Sequence, residues 1–370
     1  MIKNVPFYQV FVISLFLTFI FYLKYFLQGW DAVGIDLNQN ISNVIIAIGL
    51  LFGFISLLIS NNKERLIFIV LLLFFIANLV LNNNKNLFWA ISAFPFFVYM
   101  SRIQFDKVVS VFFACIVLTW LIFIPVLSFF SESMFFLDDR YIRLTFGFAN
   151  PNTFAALLFV TYTLCLMYVD LKCSKFGVSI FVYVIVSLLL LPVLYSTMSR
   201  TFLFSSLLIA FYFPLRKLRF LRVKVWHARL SILLICVLQL FLTFNYSPAN
   251  SWMFLLNSIF SDRVRLANEM YNSLGYPNLF LGQDITDYIP IDFFFTNFLY
   301  SSGWLFSLLF ILFYFILLSG IRLMNNFSAF ICLSFILLSL SENLFNIPVI
   351  NFSMFILYCT YLKNSKERIG

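Results

Sequence analysis

The sequence predicts an all-α fold: a polytopic integral membrane protein of about twelve transmembrane helices with one long outward-facing loop. Three observations predict it. Only 11% of the residues are charged and 63% are hydrophobic, where a soluble domain carries about 25% charged residues. Polar residues punctuate the apolar chain every ~20 positions, the length of one helical crossing. Backbone polar groups find no water in lipid, so such spans are helices rather than open sheet.

The first apolar run has no small-residue cleavage site and continues for a full span, so it reads as the first helix and not a signal peptide. The predicted spans cover 6–27, 42–60, 66–81, 87–100, 108–130, 152–169, 178–197, 201–215, 230–244, 294–318, 327–340 and 344–362, and the whole chain, 1–370, is one membrane domain. The seventh and eighth spans need an argument. Residues 178–215 carry a single charge, Arg200. As one helix they would extend about 57 Å, against a hydrocarbon core of about 30 Å. They are therefore two spans, broken at Ser196-Thr197-Met198-Ser199-Arg200-Thr201 with almost no loop.

Orientation follows from counting. With both termini inside, 17 of the 24 lysines and arginines fall on the inner side and 7 on the outer, while the acids divide 4 and 11. Lysine and arginine bias sets topology, so the long stretch 247–293 faces outward. The basic run 216–229 is an inner loop, topogenic and in contact with lipid headgroups. That distribution explains the net charge of +9 without nucleic acid. The sole histidine, His227, sits in the same run, so the outer face has none. The six cysteines lie in apolar runs or beside inner loops, which implies no disulfide framework. No CxxC or HExxH spacing exists, so neither a zinc site nor another cofactor is expected.

Three outward features stand out. The connection 131–150 holds Glu132, Asp138, Asp139, Arg140 and Arg143, then Gly147-Phe148-Ala149-Asn150-Pro151-Asn152. Pro151 moves Asn150 away from helical angles and suits a first helical turn, so Asn150 caps the sixth span. Arg200 sits at the outer end of two spans, where a charge needs a partner or a wet cavity. The stretch 247–293 holds Arg263, Arg265, five acids and many apolar side chains. Loops longer than about 15 residues are functional or disordered, and this composition can fold onto a support.

Taken in order, Gly147 to Asn152, Ser199-Arg200-Thr201, Ser261-Asp262-Arg263, Leu279-Phe280-Leu281-Gly282, Ile289-Pro290-Ile291-Asp292 and Ser341-Glu342-Asn343 resemble the O-antigen ligase and Wzy-type polysaccharide polymerase superfamily. The resemblance covers about residues 144–343. Phe293 stands where the family has asparagine, and the ligase branch carries a histidine in its large loop that this chain lacks, so the polymerase branch fits better.

The resemblance implies transfer of a glycan from undecaprenyl diphosphate to a sugar hydroxyl of the next lipid-linked repeat unit, on the outer face of a bacterial cytoplasmic membrane. It implies as partners the lipid-linked glycans, the bilayer, a chain-length regulator and a flippase. The leaving diphosphate needs a metal ion or fixed cations. The motifs put Arg200 and Arg263 on the correct face, and arginine binds phosphate bidentately. Arg265, Arg140 and Arg143 are secondary substrate-binding candidates, joined by Asn150 and Asn152. With no outer histidine, the base candidates are carboxylates: Asp292 and Glu342 first, then Asp284, Asp287, Glu269, Asp138 and Asp139. A plainer reading makes Asp292 a helix cap and Glu342 an arginine's ion-pair partner. The competing functions are a ligase of the same superfamily and a flippase of lipid-linked sugars. A transporter would carry ionisable groups near span centres. Here they collect at span ends.

Overall fold

A computed structural model describes residues 7–32, 35–82, 84, 87–131, 133–137, 142–288, 291–344 and 347–367. The chain is 77% helical. Among the described residues it forms α1 (Phe7–Gly29), α2 (Ile35–Leu57), α3 (Asn62–Asn82), α4 (Phe88–Met100), α5 (Phe105–Phe130), α6 (Pro151–Lys172), α7 (Phe176–Ser196), α8 (Arg200–Leu215), α9 (Val225–Asn245), α10 (Ser251–Ile259), α11 (Arg263–Leu274), α12 (Phe294–Ser302), α13 (Trp304–Leu317), α14 (Asn326–Leu338) and α15 (Ser353–Glu367). A short antiparallel hairpin, β1 (Phe135–Leu137) with β2 (Ile142–Leu144), joins α5 to α6. Seven helices are long and apolar enough to cross a membrane, and four shorter ones are apolar.

The helix α6 is the centre. Its apolar window is 78% buried, against 11% for α3 and α7. The helices α5, α7, α8 and α14 pack around it. Phe159 of α6 meets Phe202 of α8 and Phe335 of α14, and Trp120 of α5 donates to the Thr161 hydroxyl at 2.8 Å. Such aromatic contacts fill much of the interior of a chain rich in phenylalanine.

Polar contacts collect at two ends of the bundle. At one, Arg216 pairs with Asp170, Lys172 with Asp106 and Arg102 with Glu64. At the other lie the ends of α1 and α7, the hairpin, and the segment 247–293. There the Ala149 amide donates to the Gly29 carbonyl at 2.8 Å and Arg143 to the Thr197 carbonyl at 2.9 Å.

Three expectations change in the structure. The stretch 247–293 is not a bare loop: it contains α10 and α11. The span 294–318 is broken at Gly303, whose φ is +82° and whose missing Cβ leaves room for the Phe280–Leu281 backbone. The first amides of α13 then bond to the two residues just before Phe280, Trp304 to the Asn278 carbonyl at 3.0 Å and Leu305 to that of Leu279 at 2.9 Å. The span 344–362 becomes helical only at Ser353. Pro348 has no N–H to donate and disfavours helical angles in the residue before it, so the chain turns first.

Candidate functional site

Two arginines reach one cavity by the same backbone device. Met198 takes a left-handed conformation (φ 52°), Ser199 is extended at the N-cap position without a side-chain cap bond, and Arg200 is the first residue of α8. Ser261 and Asp262 are both left-handed (φ 52° and 64°), and Arg263 is the first residue of α11. Such angles are costly for residues other than glycine and persist only where the surroundings hold them. The buried Asn257 holds the second turn. Its amide donates to the Asp262 carboxylate at 2.7 Å, and its Oδ1 accepts from the Arg265 N–H at 2.9 Å.

The cavity has a volume of about 600 Å³ and is lined by Arg143, Asn152, Arg200, Arg263, Asp262 and Glu342, among others. A second cavity, of about 340 Å³, holds Asn150, Asn152, Asp292, Asn297, Glu342 and Asn343. Asn152 and Glu342 line both.

Arg263 binds two carboxylates at once. Its Nε donates to Asp292 at 2.9 Å and its Nη2 to Glu342 at 3.1 Å. Asp292 is therefore not a helix cap; Phe293 precedes α12 and offers no side-chain cap. Two of the five guanidinium N–H donors are used, so others remain for an anion in the cavity. Glu342 is almost fully buried, and burial pushes its carboxyl up to about 7. The nearby Asp292 charge adds to the rise, while Arg263 and the Thr201 hydroxyl pull the other way.

Arg200 is exposed to the cavity, and among the described residues nothing bonds or ion-pairs with it. It also sits at the positive end of a helix dipole, which opposes a cation. Both facts favour an anion at this position.

Asn150 caps α6 by accepting from the Asn152 N–H at 2.8 Å, as its sequence context predicts. The Asn152 side chain accepts from Arg143 at 2.8 Å, so Arg143 is aimed at the cavity wall. Arg265 lies apart: it pairs with Glu269 one turn along α11, is half exposed, and lines neither cavity. Asp284 is held below the usual carboxylate range by the Thr286 hydroxyl and N–H, in an exposed local turn. Arg140, Asp138, Asp139, Glu132, Ile289 and Pro290 lie outside the described residues.

Two supports escaped the sequence reading. Buried Gln239 of α9 donates to the Ser339 and Leu340 carbonyls and accepts from the Phe295 N–H at 2.8 Å, tying together the segments that carry Glu342 and Asp292. Its signal was a lone amide in an apolar run. Asn78, Asn82 and Asn84 hold Gly282 and its neighbours, with Asn78 accepting from the Gly282 N–H at 2.7 Å. Compared with known proteins, the chain matches no family model, no curated protein and no solved structure.

Proposed function

We propose that this chain is a Wzy-type polysaccharide polymerase. On this reading it spans a bacterial cytoplasmic membrane about twelve times with both termini inside. It joins a glycan held on undecaprenyl diphosphate to a hydroxyl of the next lipid-linked repeat unit. The observation that carries the reading is Arg200, an arginine at a helix N-terminus with no partner among the described residues, lining the same cavity as Arg263 and Glu342, which Asp292 joins through its ion pair with Arg263.

In the reaction the acceptor oxygen bonds to the anomeric carbon of the donor sugar. The bond from that carbon to the diphosphate oxygen breaks, and the diphosphate leaves with the electron pair. Arg200 lies against the developing charge, with the remaining donors of Arg263 and with Arg143 beside it. Glu342 takes the hydroxyl proton. A base works best with a pKa near the working pH, and Glu342, at about 7, meets that condition. Burial sets that value, and the Asp292 charge adds to it.

The test is a gel of surface polysaccharide and lipid-linked intermediates from cells lacking the protein, rescued with wild type or Arg200→Ala. Single repeat units with long chains missing, restored by wild type and not by the variant, support the polymerase. Full-length chains accumulating on the lipid carrier would replace it with a ligase. Intermediates trapped on the inner leaflet would replace it with a transporter.

A further inference from the structure

The far end of the bundle holds a second basic site. The run 216–229, uniform as sequence, divides in the folded chain. Arg216 is neutralised: it pairs with Asp170, donates to the Ser179 hydroxyl at 2.6 Å and lies over the Phe213 ring. Arg222, Lys224 and Arg229 instead join Arg322, from the connection after α13, around a pocket of about 400 Å³ that no carboxylate lines.

Arg229 is fixed in place by two bonds to the Phe315 carbonyl, at 3.2 and 2.9 Å, which leaves its Nη1 uncommitted. Arg222 and Arg322 are exposed and have no partner among the described residues. Four like charges around one small volume repel one another, and an anion between them removes that cost. The N-terminus of α9 opens here, and although the Lys224 and His227 amides are bonded within its cap, the helix dipole adds to the attraction. Trp226, 56% exposed, stands in the wall, where an interfacial aromatic meets headgroups. The 21 residues of α9 separate this pocket from the candidate site by about 30 Å.

We propose that this pocket binds a phosphate-bearing anion, held by Arg222, Arg322 and Lys224, with Arg229 as the fixed wall. The phosphodiester of an anionic lipid and free phosphate share this chemistry. The proposal is independent of any activity at the other end.

The experiment uses the purified full chain in neutral detergent. It is titrated with short-chain phosphatidylglycerol, with the matching phosphatidylcholine and with inorganic phosphate. The same series is run on Arg222→Gln/Arg322→Gln and on Arg222→Lys/Arg322→Lys. Phosphatidylglycerol binds about tenfold more tightly than phosphatidylcholine, the glutamine pair removes the difference, and the lysine pair keeps part of it. If inorganic phosphate competes fully, free phosphate is a sufficient ligand; if it does not, the lipid is the source. Equal binding of the two lipids by the wild type, or full preference retained by a folded glutamine pair, overturns the proposal. Should the glutamine pair not fold, the two-lipid comparison on the wild type decides alone.

Discussion

Arg200 and Arg263 begin their helices in the same way but stand in different electrostatic surroundings. Arg263 is the cation of a three-residue ion-pair network whose side chains are 13%, 29% and 7% exposed for Arg263, Asp292 and Glu342. Removing one partner of such a pair leaves buried charge and costs about 3–5 kcal/mol. Arg263→Ala will therefore lower the melting temperature along with any rate, which makes it a poor probe of chemistry. Arg200 has no partner to orphan among the described residues. Arg200→Ala should leave the melting temperature unchanged and reduce transfer on the order of 10²–10³-fold, as for other lost electrostatic donors. Arg200→Lys should fall between, since it keeps the charge and loses the bidentate fork. Normal polymer from an inserted Arg200→Ala protein would remove Arg200 from the site. Glu342 makes a prediction of opposite character. Only its ionised form accepts a proton, so transfer by the purified enzyme in liposomes should rise with pH and level off above about 7. Asp292 raises the Glu342 pKa by its charge, so Asp292→Asn should move the rising limb to lower pH. A profile flat across neutrality, or a shift upward in that variant, would exclude Glu342 as the base.

The elements that carry these side chains are held by contacts between segments far apart in sequence. Gly282 is the clearest case. Its amide is bound by Asn78 of α3, and a Cβ added there would overlap the Ser301 carbonyl at the end of α12. Gly282→Ala should cost about 1–3 kcal/mol, the range for an overpacked site. It should free the segment between α11 and α12 for limited proteolysis without disturbing the other end of the bundle. An unchanged melting temperature and digestion pattern would mean that the clamp contributes nothing. The sequence reading singled out Gly282 within Leu279-Phe280-Leu281-Gly282, but not its reason, because local pattern does not pair a glycine with an asparagine about 200 positions away. The cap at Asn150 was legible because capping is decided within a few residues. Gln239 was not, since a buried amide becomes meaningful only when its three backbone partners are known.

At the scale of the whole molecule, composition and spacing alone made the helical class legible, because lipid leaves the backbone few alternatives. They failed at Gly303 and Pro348, where a window of hydrophobicity passes smoothly over residues that break a helix. The helix ends divide into two groups, and that division has a consequence for orientation. Arg102, Lys172, Arg216, Arg222, Lys224 and Arg322 belong to connections at one end, while Arg200, Arg263 and both cavities lie at the other. Basic connections stay on the cytoplasmic side, so the cavities should open outward, where a lipid-linked glycan would meet them. Single reporters separate the possibilities: Ser273→Cys in α11 and Leu218→Cys in the connection after α8, each placed in a Cys173→Ser background. A membrane-impermeant maleimide should label Ser273→Cys in intact cells and Leu218→Cys only after the membrane is opened. The reverse pattern would put Arg200 and the buried Glu342 carboxylate in the cytoplasm. A donor displayed on the outer leaflet would then be out of reach, and the polymerase reading would fall even if Arg200→Ala were inactive.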